Sequence, residues 1–183
     1  MGELEFYIYE QELWCKYADG RNEIVTEHST ETIQHLIGII SEHYPDAYKA
    51  LQKEYQKSAY NVKYYQYLIV RRFCKCNFGK LDTTKFDVDE NGGFNFEKVD
   101  CPLRGECKFD GVVCIPKFNT RLSDAELRVM RLVYDGLNKD DIAERLYISP
   151  NTVKNHIKSV YCKLGIHEKS EFIQYANKNH LFS

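Results

Sequence analysis

No run of this chain approaches the roughly 18 to 20 uninterrupted apolar residues that a membrane-spanning helix needs, and Met1 to Glu12 lacks the basic-then-apolar layout of an export signal. Both absences point to a cytoplasmic protein with no membrane partner. Gly-x-Ser-x-Gly, the Gly-rich phosphate loop, Gly-x-Gly-x-x-Gly and His-Glu-x-x-His are all missing, which argues against an enzyme. Charge of one sign is missing too. The formal net charge is −2, and residues 118–183 hold 10 Lys+Arg against 8 Asp+Glu, so any nucleic-acid contact must come from a locally arranged basic face. Proline is scarce enough, at four residues, that each one marks a boundary.

What is present suits a globular chain. Hydrophobic residues make up 43% and charged residues 28%, enough to bury a core, and 183 residues fit two small domains. Seven cysteines, an odd number without an export signal, are thiols or metal ligands rather than a disulfide framework.

The pattern changes along the chain. Residues 4–27 carry aromatic and β-branched residues around Ala18-Asp19-Gly20-Arg21, and Asp-Gly between such runs predicts a two-stranded hairpin. From Thr30, the spacing of Ile33, Leu36, Ile37, Ile40 and Tyr44 predicts a helix closed by Pro45. Tyr48, Leu51, Tyr55, Val62, Tyr65, Ile69 and Phe73 continue on a ladder of threes and fours whose only polar step is Ser58, which predicts one long helix with a narrow apolar seam. Between Cys74 and Lys117 the periodicity disappears among glycines and prolines. Asp87, Asp89, Asn91 and Gly92 resemble the opening of a calcium loop, but its twelfth position is Lys98, so the segment reads as a turn.

A structureless stretch of that length needs a staple. Cys76, Cys101, Cys107 and Cys114 supply the four thiolates of a tetrahedral structural zinc site, which would cross-link a segment too poor in apolar residues to fold alone. Cys76 is preferred to Cys74 as the fourth ligand because Cys76-Asn-Phe-Gly reads as the start of a turn. Free thiols and a redox switch are the alternatives.

The C-terminal residues are the most informative. Ser123-Asp-Ala-Glu126 is a capping box opening a helix that buries Ala125, Val129, Met130 and Val133 and ends at Gly136. Asn138 caps a short helix with Ile142, Ala143 and Leu146 inward. Ser149-Pro150 starts a third, running to about Leu164 before Gly165. Val153, Ile157, Val160 and Leu164 share its inner face, while Asn151, Lys154, Asn155 and Lys158 share its outer face. Two short helices in a tight turn, the second presenting amides and ammonium groups, suit a helix-turn-helix reading a major groove. Cys162 reads as a small filler.

These residues resemble a known family. Leu122-Ser-x-x-Glu126, Asp141-Ile-Ala143, Leu146-x-Ile-Ser149, Thr152-Val-Lys-x-His156 and Lys163-Leu-Gly-Ile166 look like the LuxR/GerE-type DNA-binding domain of bacterial transcription regulators. The resemblance implies a four-helix domain at 118–183 that binds double-stranded DNA as a homodimer, with the helix at about 150–164 in the major groove and the last helix forming the dimer contact. It places Asn151, Thr152, Lys154, Asn155 and Lys158 at the DNA, and as an amide Asn155 suits adenine. With Phe96-x4-Cys101-Pro-Leu-Arg-Gly-Glu-Cys107 leading into Pro116-Lys-Phe118, the whole chain is similar to a group of LuxR-type regulators of the Bacteroides type that carry a Cys-rich segment before the DNA-binding domain.

The expected architecture is therefore mainly α with a small β element. A hairpin-plus-helices module for dimerisation or sensing occupies 1–73, a zinc-stapled segment 74–117 and the helix-turn-helix 118–183. The expected function is a sequence-specific transcriptional regulator. The alternative is an adaptor contacting RNA polymerase, a sigma factor or another regulator.

Overall fold

The computed structural model describes residues 2–82, 85–90, 92–179 and 181–182; Asn91, part of the turn expected near Asp87, lies outside them. The chain divides into two compact units, 1–117 and 118–183.

In the first unit, alternating apolar residues build an antiparallel sheet of β1 (Leu4–Tyr9), β2 (Glu12–Tyr17) and β3 (Asn22–Ile24), in that order. Phe6 faces Cys15, and the side chains of Leu4, Phe6, Leu13 and Cys15 are buried. The sequence predicts two strands here; the sheet has three. The Asp19-Gly20 turn lies where expected, with Gly20 at φ +88°, but it joins β2 to β3. The connection from β1 to β2 is Glu10-Gln11, both at positive φ, 47° and 68°. Asn and Gly normally mark such a turn. Nothing in Glu-Gln does, and the paired strands on either side carry the conformational cost.

Helix α1 (Thr30–His43) forms as its periodicity predicts, and Pro45 begins the next helix at the position where its missing N–H is harmless. The predicted long helix is broken in two. α2 (Pro45–Glu54) ends in a single 3₁₀ turn at Gln56–Ser58, and α3 (Val62–Asn77) restarts where the Asn61 side chain accepts the Tyr64 N–H. The ladder of threes and fours crosses the break by coincidence: Val62, its middle rung, is 60% exposed. The face of α3 that packs is Tyr67, Ile69, Val70, Phe73, Cys74 and Asn77.

The segment after α3 lacks regular elements but not a core. Phe73, Phe78, Phe94, Phe96 and Tyr44 form one aromatic cluster, with ring centroids 5.2 to 6.4 Å apart. Phe109 and Val113 are buried as well. The phenylalanines of this stretch, which bury large areas each, pack with Tyr44 and Phe73 from outside it, so the stretch shares a core that it does not supply alone. Val88 also pairs with Leu4 through two backbone hydrogen bonds of 3.0 and 2.9 Å. That contact covers the open edge of β1, which would otherwise invite pairing with another chain.

The second unit is helical: α4 (Asp124–Tyr134), α5 (Lys139–Leu146), α6 (Pro150–Leu164) and α7 (Lys169–Lys178). Both arms of the predicted capping box form at Ser123 and Glu126. Asn138 and Ser149 cap α5 and α6, and Gly165 ends α6 at φ +67°. Val129, Met130, Leu132, Val133, Ile142, Val153, Val160 and Phe172 make the core, while Ala125, Leu146, Ile157 and Leu164, expected inside, are only partly buried. Among the described residues, no helix is long and apolar enough to cross a membrane.

Candidate nucleic-acid interface

The surface of α6 is set by its cap. The Ser149 hydroxyl accepts the Thr152 N–H at 3.0 Å and lies 2.8 Å from the Thr152 hydroxyl. Val153 N–H reaches the Ser149 carbonyl, and Pro150 has no N–H to offer. The Asn151 amide N–H is thus left open at the positive end of the helix dipole, the arrangement that receives a phosphate.

Asn151, Lys154, Asn155 and Lys158 are exposed along the outer face, and Thr152 is half-buried with its hydroxyl turned to Ser149. All five predicted contact residues therefore lie within the first nine residues of one helix. The inner side of α6 supplies the buried Val153 and Val160.

Two cationic grooves flank this face, and sequence reading did not foresee either. One, about 580 Å³, is lined by Lys139 from α5, Lys154, Lys158 and Tyr161 from α6, and His167 beyond it. Cys162, expected as a small filler, lines it too and is exposed. The other groove, about 360 Å³, is lined by Arg128 of α4, Arg145 and Tyr147 at the end of α5, and His156 of α6. Tyr147 is 95% exposed and holds the left-handed conformation, φ 54°, at the turn between α5 and α6. A bulky residue rarely adopts that conformation, and no local sequence signal marks it. Together the grooves gather cations from three helices of a unit whose net charge is small.

Glu126 keeps α6 in place. Only 5% exposed, it closes the capping box of α4 and also accepts the Lys163 ammonium at 2.7 Å and the Ser159 hydroxyl at 2.7 Å. The ammonium first, then the Ser123 and Ser159 donors, pull its carboxyl down to about 2. Sequence reading finds the cap but not this second role, because Lys163 lies 37 residues away.

The cysteines expected as ligands lie in the first unit. Cys76 sits in the last turn of α3 rather than in a loop, because the helix runs on to Asn77. Its thiol interacts with that of Cys114, and Cys107 is near both. Burial pushes the Cys76 thiol up to about 12 and raises that of Cys114. Cys74 is fully enclosed on the core side of α3, with Cys15 and Asp87 as neighbours. Cys101 is half-buried at the opening of the turn that leads to Cys107. Among the described residues, no three His, Cys, Asp or Glu side chains already stand at metal-coordinating distance.

Comparison with known proteins agrees with the fold of the second unit. Residues 120–176 match the model of the bacterial regulatory proteins, luxR family, and form a helix-turn-helix domain of that family. A protein of Mycobacterium tuberculosis named as an HTH-type transcriptional regulator is 44% identical over 55 residues, 30% of this chain and 6% of that protein. The HTH-type transcriptional regulator MalT of Yersinia pestis is 37% identical over 57 residues, 31% of this chain and 6% of its own length. The chain thus matches only a small fraction of these relatives. No solved structure matches it.

Proposed function

We propose that this chain is a DNA-binding transcription regulator whose LuxR-family domain sets α6 in the major groove of double-stranded DNA. The observation that carries the reading is the exposed amide and ammonium face of α6 with a cationic groove on each side. A helix in the major groove has a phosphate strand on either flank, and the cations lining the two grooves support that reading. Lys154 and Lys158 supply charge to phosphates or guanine edges, and Asn155 reads a base edge. The open Asn151 N–H and the Thr152 hydroxyl meet a backbone phosphate. Lys139 extends the charge on one flank, Arg128 and Arg145 on the other. The function is binding, with no chemical step.

We further propose a homodimer, as the resemblance to the family implies, so that two copies of α6 meet half-sites about one helical turn apart. The test is selection of genomic DNA fragments by the full chain beside a Lys154, Asn155, Lys158 triple-alanine variant, at two salt concentrations. A repeated motif enriched by the wild type alone is expected. Lys158→Ala is expected to weaken binding to all sequences alike and to reduce the salt slope by about one unit. An unchanged slope removes Lys158 from the interface. Absence of any enrichment, with recovery of polymerase subunits, overturns the reading in favour of an adaptor that contacts RNA polymerase or a sigma factor.

A further inference from the structure

We propose that Cys76, Cys107 and Cys114, with Cys101 as fourth ligand, bind one zinc ion that pins the irregular part of the first unit to the end of α3. Two of these thiols are held together by the fold itself. Asn77, fully buried, donates to the Val113 carbonyl at 2.8 Å and accepts the Ile115 N–H at 2.8 Å. These bonds straddle Cys114 and are made by the residue next to Cys76, so they hold Cys114 at the last turn of α3. The third thiol is brought in from another direction. Phe109 lies under the guanidinium of Arg72 at 5.0 Å, Lys108 pairs with Glu54 of α2, and Arg72 Nη2 stands 3.9 Å from Cys107 Sγ.

Arg72 indicates what charge the cluster carries. Among the described residues it has no carboxylate partner, and its Nε is buried without a hydrogen-bond partner. A half-buried guanidinium aimed at a group of thiols is costly beside neutral S–H groups and favourable beside thiolates. Zinc makes thiolates: four thiols and Zn²⁺ give a tetrathiolate of net charge −2 and four released protons, and Arg72 offsets part of that charge. A disulfide between Cys76 and Cys114 would use two of the thiols and leave Arg72 and Cys107 facing each other unpaired. Cys101 enters because it opens the double turn that ends on Cys107, marked by the bonds Arg104 N–H to Cys101 carbonyl, 3.1 Å, and Cys107 N–H to Leu103 carbonyl, 2.9 Å. Cys101 is the further thiol that this turn carries beside Cys107.

The test uses the full chain, purified under reducing conditions. About one zinc per chain is expected by elemental analysis, and replacement by cobalt is expected to give the intense thiolate-to-cobalt charge-transfer band and the visible bands of a tetrahedral site. Cys107→Ser and Cys114→Ser are expected to lose the metal. Cys162→Ser, in the other unit, is expected to keep it. If a serine variant does not fold, the cobalt spectrum of the wild type still decides. Metal-free wild type that gives no charge-transfer band on cobalt titration overturns the proposal, as does a Cys76–Cys114 disulfide found by mass in protein isolated without reductant. Retention of zinc and an unchanged cobalt spectrum in Cys101→Ser overturns the fourth ligand.

Discussion

Asp87 is a buried carboxyl that works as a hydrogen-bonding group on the edge of β1. Its Oδ2 accepts the Phe6 N–H at 2.6 Å, satisfying a strand donor that would otherwise be stranded in the core. Burial pushes its carboxyl up to about 9, and the carboxylates of Glu5, Glu97 and Asp82 reinforce the rise against the pull of the Phe6 N–H. Unfolded, the group ionises near its ordinary 3.8. The folded state therefore holds an extra proton between those two values, and the stability of the first unit falls as pH rises through that window. Asp87→Asn keeps the acceptor and removes the titration. It is expected to raise stability at pH 8 by at least about 1 kcal/mol, an advantage that shrinks towards pH 4. Thermal melts across that range check it, and a difference independent of pH would refute the assignment.

Between elements, Glu126 joins the start of α4 to the middle and end of α6. Its carboxyl is held at about 2 against an ordinary 4.5, so its contribution is present above the ordinary value and is lost as pH falls towards 2. Glu126→Gln keeps the size of the side chain and gives up the charge. The expected loss is about 1 to 2 kcal/mol at pH 7, measured by denaturant unfolding, and it should vanish near pH 2. Loss of the same size at both pH values would mean that shape matters there and charge does not. Elements were unevenly legible. Capped helices were readable because Ser123, Asn138 and Ser149 act on backbone groups within three residues of themselves. The Glu10-Gln11 turn and the break before α3 were not. In the first, pairing across the sheet overrides turn preference; in the second, apolar spacing alone cannot report an interruption that happens to preserve phase.

At the scale of the whole molecule, the core of residues 118–183 is formed entirely by that unit's own residues. A fragment of those residues is expected to be helical and to melt cooperatively by circular dichroism, and a non-cooperative melt would show that it depends on the rest of the chain. The helix-turn-helix was legible because its cues are local: caps, helical phase, and an outer face whose residues recur every three or four positions. Arg128, Lys139 and Arg145 are not legible as contacts, since each is one surface charge in its own helix and only the packing of α4, α5 and α6 brings Lys139 beside Lys154 and Lys158, and Arg128 and Arg145 beside His156. The same holds for Cys76 and Cys114, which come together through Asn77 and its bonds to Val113 and Ile115, 36 and 38 residues further along the chain. Short-range hydrogen bonding and periodicity are written along the chain and can be read there. Convergence of distant charges and thiols depends on how helices and loops pack, and it becomes visible only once they have done so.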